Sequence, residues 1–425
     1  MEGLIFMKPM TITEKILSRK AGQPLYAGNF ATVKADSLMI HDSNAFTTIE
    51  AFKTFEKEKI LPGTDVIMVM DHFSPSSTEA AANMHIKMRQ FRAQQEFNLY
   101  EVGDGVGHQL MCEQGHVFPG EIAVGTDSHS CTYGALNAFG TGIGSTEAAG
   151  ILAYSKIWFR VPETIRINWK GTLPTGVTAK DVALRTVEKI GLRQALYRTL
   201  EFGGDLISQL SIDERLTICN MGIEVGAKAA LMPPDSVLDT WIAQRPKIRK
   251  YEPAEADKGA EYFKVYDLNA DDLEPLVAYP PMVNQVVPVG QLQGKKVDQI
   301  VLGSCTNGRA SDFREAAKLL AGKRVAKGVR LVLLPASKVV LEELLADGTM
   351  EALVRAGGMI ITPGCGPCGG YHGGLVGSKE VVLATTNRNF TGRMGSQDSE
   401  LYLASPLTAA AAALTGIMID PREVC

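Results

Sequence analysis

Three cysteines stand where thiolate chemistry needs them. Cys305 lies in GSCTNG, and Cys365 and Cys368 follow sixty residues on, in PGCGPCGG. Thiolates are soft ligands that suit zinc and iron–sulfur clusters. Gly364, Gly366, Gly369 and Gly370 let backbone approach an inorganic group closely, and Pro367 holds the loop shape. Backbone N–H groups in such a loop can hydrogen-bond cluster sulfides and tune the cluster. Three chemistries compete. A structural zinc site wants four closed ligands, so His372 or a distant cysteine would have to supply the fourth. A thioredoxin-like CxxC wants one exposed dithiol at a helix start, which leaves Cys305 idle. An iron–sulfur cluster with one iron left open uses three cysteines and needs no fourth.

A second set of residues can move protons. His72 follows Asp71, His108 lies in GVGHQL, and His129 stands two residues after Asp127. A lone histidine in a sheet protein is most often a satisfied core or surface group. Three of them, two beside an aspartate, suit acid–base work, because a paired carboxylate orients the ring and supports its charged form. His41, His85, His116 and His372 read as ordinary histidines. Asn220 and Glu224 stand at i and i+4, so a helix would place them on one face. Arg388 and Arg393, in NRNFTGR, offer guanidinium forks for carboxylates. Gly140-Thr-Gly142-Ile-Gly144 imitates a dinucleotide loop, but Ser145 and Glu147 break the pattern. It reads instead as close backbone packing beneath the active site.

The elements that carry these groups follow one rule. Val66–Met70 runs into Asp71-His72, Glu121–Val124 into Gly125-Thr-Asp127-Ser128-His129, and Ile300–Leu302 into Gly303-Ser-Cys305. Met359–Ile361 runs into Thr362-Pro-Gly364-Cys365, and Val381–Ala384 into Thr385-Thr-Asn387-Arg388. Near-continuous apolar runs separated by helical patterns predict buried parallel strands. Each polar cluster then sits just past a strand's carboxyl end, where open α/β sheets bind ligands. Two seams, near Pro162 and at Tyr279-Pro280-Pro281, predict segments 1–162, 163–282 and 283–425. Lys247–Lys258 reads as a solvated surface loop. Ser405-Pro406 starts a soluble helix by the N-cap and first-turn rules.

The whole chain bounds the answer. Its 425 residues, 45% of them hydrophobic, can bury more than one core. A net charge of −4 without a Lys/Arg block offers nucleic acid no broad attraction. No apolar run is long enough to span a bilayer, and the N-terminal MEGLIFMKPMTITEKILSRK lacks leader features. Seven cysteines over this length make poor disulfide arithmetic and fit a reducing compartment. A cytoplasmic enzyme, with no membrane and no nucleic-acid partner, is the expectation.

GSCTNG, PGCGPC and NRNFTGR resemble the cluster-binding domain of the aconitase superfamily. GTDSHS with its following glycine-rich segment, DHFSP and GVGHQ resemble that family's first domain, and the likeness runs from about Thr11 to the C-terminus. The resemblance implies an α/β fold of three domains with largely parallel sheets around a central cluster. It implies that Cys305, Cys365 and Cys368 hold one 4Fe–4S cluster with the fourth iron open to substrate and water. It assigns acid–base work to Asp71, His72, His108, Asp127, His129 and Glu224, with Glu224 orienting His108 or His129. Ser128, Asn220, Asn387, Arg388 and Arg393 become the substrate-binding candidates.

The implied reaction is dehydration and rehydration of a hydroxy-dicarboxylic acid. The family's catalytic base is a serine on a further, swivelling domain, for which this chain leaves no room before Cys425. A separate small subunit is therefore expected to carry it, in a heterodimer or heterotetramer. The TITEKIL opening and DSHSCTYGA resemble the two-subunit prokaryotic branch. That branch handles isopropylmalate, homoaconitate and 2,3-dimethylmalate, with the isopropylmalate of leucine synthesis ranked first. Some aconitase-like proteins bind RNA when clusterless. The acidic balance and the lack of a basic–aromatic patch argue against that role here.

Overall fold

A computed structural model describes residues 8–424; the first seven residues of the N-terminal stretch tested for leader features, and Cys425, lie outside them. Local signals set the elements. Thr11 accepts from the Glu14 backbone while the Glu14 carboxylate accepts from Thr11, so TITEKIL opens the helix Ile12–Ala21 with a capping box. Gly22, at φ 69°, ends it in the left-handed conformation that glycine adopts freely. The Ser405 side chain likewise caps Pro406–Thr415, as its sequence predicts.

The predicted strands form, and they are parallel. In the first sheet the order is Asn98–Tyr100, Asp65–Val69, Ser37–His41, Ile122–Gly125, Phe139–Gly142, every pair parallel. Strand order reverses between Ser37–His41 and Ile122–Gly125, which opens a crevice at their carboxyl ends. A second sheet runs Ala229–Leu231, Thr199–Gly203, Thr164–Lys170, Lys264–Asn269, again all parallel. The third runs Val286–Pro288, Leu276–Ala278, Glu400–Ala404, Val381–Ala384, Gln299–Gly303, Arg330–Leu334, Gly358–Ile360. Only its first two pairings are antiparallel. Its order reverses between Gln299–Gly303 and Val381–Ala384, giving a second crevice. A ribbon, Phe30–Lys34 with Lys156–Arg160, flanks the first sheet.

The central strands, such as Ser37–His41 and Gln299–Gly303, are buried on both faces, and burial of that surface drives the packing. The stretch Lys247–Lys258 departs from its expected freedom. It has no regular structure, but Asn137 brackets Ala254, donating to its carbonyl and accepting from its N–H, and Arg249 pairs with Glu121. Buried amides need partners, and a strap over the first sheet supplies them.

The 3₁₀ segment Ser128–Leu136 packs against the second sheet at Gly134. A Cβ there would lie 1.6 Å from the Ala230 carbonyl oxygen. Gly134→Ala must push these backbones apart and is expected to cost roughly 2–4 kcal/mol. Thermal unfolding should show a clear drop, whereas Gly290→Ala, with open space around it, should unfold as the wild type does.

Candidate active site

The carboxyl ends of the first sheet deliver Asp71-His72 and Asp127-Ser128-His129 into its crevice. Asp127 is the hub. Its carboxylate meets His108 Nε2 at 3.1 Å, His129 Nδ1 at 3.3 Å and His72 Nε2 at 3.4 Å, and also accepts from the His129 backbone. Burial opposes the charge on Asp127, yet His108 and the other two rings hold it well below the usual carboxylate range. His72 is fixed from its other side, with Nδ1 2.6 Å from Asp71. Burial again works against the cation, but Asp71 and the groups around it raise His72 well above the ordinary histidine value. Both ring nitrogens thus face carboxylates, an arrangement that favours the charged ring.

Glu224 orients His129 rather than His108, at 3.1 Å from Nε2. It is also bonded to Arg388 Nε at 2.9 Å, and Arg388 reaches Ser128 Oγ at 2.9 Å. Asn220 and Glu224 do not share one α-helical face. The α-helix Ile212–Asn220 gives way to a 3₁₀ turn, Met221–Val225, which sends the two side chains to different tasks. Asn220 turns to sulfur, its Nδ2 3.3 Å from Cys305 Sγ.

The thiols come from the third sheet. Gly303 approaches so closely that a Cβ would sit 1.9 Å from the Leu334 carbonyl oxygen, and the chain then turns to present Cys305. Asn387, from the neighbouring crevice strand, donates to Cys305 Sγ at 3.5 Å and accepts from Cys368 at 3.6 Å. The CxxC loop is tied to the His-bearing crevice, because Cys365 N donates to the Asp71 carbonyl at 2.8 Å. The hydrogen bond from Cys365 holds the Cys368 thiol well below its usual range, while burial pushes Cys305 up to about 12. Arg393 lies beside Cys368 and over the Phe390 ring, its buried Nε without a partner among the described residues, so it remains a free donor at the site's edge.

Residues outside the expected set join in. His41 stacks on His72 with ring centroids 4.1 Å apart. Asp42 accepts from the backbones of His72 and Phe73 and meets His85 at 2.9 Å. His41 and Asp42 end their strand as Asp71 and His72 end theirs, so the strand-end rule would have found them. His85 had no such signal, being placed by the helix Glu79–Gln94. His116 pairs with Asp65 at the other end of the sheet, away from the hub, as an ordinary histidine would. Gly140 and Gly142 pack against the backbone of Ser130 and Asp127, under the hub as expected.

The donor set tests which inorganic group fits. Among the described residues, the one group of three or more ligand atoms within 4.8 Å of one another is His41, Asp42, Asp71 and His72. Those carboxylates are already committed to backbone N–H groups and histidines. Cys305, Cys365 and Cys368 do not all lie within 4.8 Å of one another, as three ligands of one tetrahedral zinc with bonds of about 2.3 Å would. Their amide partners, Asn220 and Asn387, and the glycine-rich loop suit a bulkier cluster.

A sequence model of the Aconitase family (aconitate hydratase) matches residues 14–295 and 290–416. The chain belongs to the aconitase family. It is a hydro-lyase, and membership implies a 4Fe–4S cluster. Among its relatives, "3-isopropylmalate dehydratase large subunit 1" of Methanopyrus kandleri is 44% identical over 413 residues, 97% of this chain and 99% of that protein. The "3-isopropylmalate dehydratase large subunit" of Caldanaerobacter subterraneus is 43% identical over 417 residues, 98% and 99% of the two chains. The "Probable methanogen homoaconitase large subunit" of Methanosarcina mazei is 45% identical over 390 residues, 92% and 99%. Among the described residues of this aconitase-family chain, no helix is long and apolar enough to cross a membrane.

The hub has a direct test. Asp71→Asn or His72→Ala is expected to lower kcat by roughly 10²–10⁴-fold, the usual contribution of a general acid–base group. Iron content should stay at the wild-type level. A loss below about threefold would remove both from the catalytic set.

Proposed function

We propose that this chain is the large, cluster-bearing subunit of a 3-isopropylmalate dehydratase, interconverting 2- and 3-isopropylmalate by dehydration and rehydration. The observation that carries it is Asp127. One carboxylate gathers His72, His108 and His129 beside the loops of Cys305, Cys365 and Cys368. Most relatives aligned along the full chain bear the isopropylmalate name. The three sheets support a division into domains 1–162, 163–282 and 283–425, with Leu276–Ala278 reaching forward into the third sheet. A cytoplasmic setting would keep the three thiols reduced.

Cys305, Cys365 and Cys368 would hold the 4Fe–4S cluster, which supplies a Lewis acid to polarise the substrate hydroxyl. His72 carries the proton for the departing hydroxide on Nε2, with Asp71 holding Nδ1 and Asp127 steering the ring. His108 and His129 share Asp127 and position water. Ser128 and Arg388 bind carboxylate oxygen, and Glu224 fixes Arg388 so that its fork faces the crevice. Arg393 offers its free donor to the same anion, while Asn220 and Asn387 hold the sulfur side in place. The small subunit would bring the swivel domain and its serine base.

The test is anaerobic purification with a small-subunit partner, iron and acid-labile sulfide analysis, and an ultraviolet assay of unsaturated acid. Isopropylmalate, homoaconitate and 2,3-dimethylmalate are each supplied. Iron with sulfide, and turnover of isopropylmalate ahead of the others, is the expected result. Zinc without sulfide sinks the cluster. Preference for homoaconitate, the substrate in the name of an equally similar relative, moves the chain to that activity.

A further inference from the structure

Behind the thiols lies a charge that the proposed chemistry does not use. Lys180 stands at the start of the helix Ala179–Ile190, is fully buried, and reaches out of the second α/β unit into the third. Its Nζ donates to the Thr385 carbonyl at 2.8 Å, to the Thr386 carbonyl and to Asn307 Oδ1 at 3.3 Å. All three N–H groups of the ammonium are thus taken by neutral acceptors. Those acceptors sit on the two loops that leave the third sheet at its reversal of strand order. One loop carries Cys305, the other Asn387 and Arg388.

A neutral donor such as glutamine could bond two of those carbonyls without the cost of burying a cation. The positive charge therefore needs a client. Arg309, also buried, spends its guanidinium on the carbonyls of Cys305 and Thr306, and Arg393 lies beside Cys368. Against these three cations stand two buried carboxylates, Asp181 and Asp312, each pushed up to about 6 by burial. A 4Fe–4S core bound by three thiolates carries a net negative charge, and such clusters are tuned by nearby charge and burial. Burial pushes Lys180 down to about 7, while Asp312, Cys368 and Cys305 draw it back up.

We propose that Lys180 is a positioning residue for the cluster: it pins the Cys305 and Asn387 loops together and sets the cluster's potential from behind, without touching substrate. This rests on the cluster assignment above.

The experiment compares wild type, Lys180→Gln, Lys180→Arg and Asp312→Asn as anaerobic holoenzymes with the small-subunit partner. Cluster midpoint potential is read by spectroscopic redox titration, along with the half-life of the brown colour in air and the far-ultraviolet dichroism. Lys180→Gln should keep the fold, lower the midpoint, and lose its colour at least about threefold faster, because a less compensated cluster is easier to oxidise. Lys180→Arg should restore the midpoint towards wild type. Asp312→Asn, which deletes a negative charge from the same group, should raise it. An unchanged midpoint in Lys180→Gln, or an equal shift in Lys180→Arg, overturns the proposal. If Lys180→Gln does not fold, Asp312→Asn decides, and a midpoint that stays or falls overturns it. Wild type without iron and sulfide would sink the cluster assignment instead, so the two failures are distinct.

Discussion

Serine in place of Cys305, Cys365 or Cys368 is expected to remove the brown chromophore and all measurable turnover. A serine hydroxyl gives up its proton far less readily than a thiol does, and it is a harder ligand for iron. The three positions are not equivalent in their surroundings. Cys305 is gripped by Asn220 and Asn387, whereas Cys365 and Cys368 sit on the loop tied to Asp71. The tie to Asp71 runs through the Cys365 backbone N–H, so serine in its place should leave that contact intact. The controls are Cys112→Ala and Cys219→Ala. Both thiols are wholly buried among apolar side chains, on helices outside the loops of Cys305, Cys365 and Cys368. Inert thiols of this kind should leave iron, sulfide and turnover largely intact. A Cys305→Ser protein with a full-strength cluster would show the ligand assignment to be wrong.

Purified by itself, the chain should carry a cluster yet turn over negligibly. On the proposed reading, its own residues hold the leaving hydroxyl and a proton for it, but not the base that takes the proton from carbon. A proton on carbon needs a base placed within hydrogen-bond reach, about 2.6–3.2 Å. Adding the small subunit, a domain-sized partner of roughly 160–200 residues, should restore dehydratase activity to the pair. The same partner should influence which acid is preferred, since the proposed site is completed by it. Full activity from the purified large chain alone would sink the two-subunit reading, whatever its iron content.

Much of this architecture is legible in the residues alone. Apolar runs such as VIMVM and IVL could only be strands covered on both faces, and the polar clusters that follow them had to lie at one edge of a sheet. That logic places Asp71, His72 and Asp127 at one sheet edge and Cys305 and Asn387 at another, because the carboxyl ends of parallel strands in one sheet point the same way. His41 and Asp42 obey the same rule, although His41 reads as ordinary when taken alone. A histidine's task is set by the strand that presents it, not by its immediate neighbours in sequence.

Residue types and spacing by themselves determined the strand-end placement and the α/β class and narrowed the ligand chemistry to a few thiolate options, since thiolates, imidazoles and apolar periodicity carry that information locally. Only the tertiary structure decided who partners whom. Glu224 went to His129 and Arg388, and Asn220 to Cys305, because a helix changes pitch after Asn220. Lys180 is one more lysine on an amphipathic helix until that helix docks, which buries the ammonium against two loops more than a hundred residues away. Such pairings depend on how separate sheets are oriented against one another. No local pattern encodes that, because the energy that fixes it comes from burying surfaces distant in the chain.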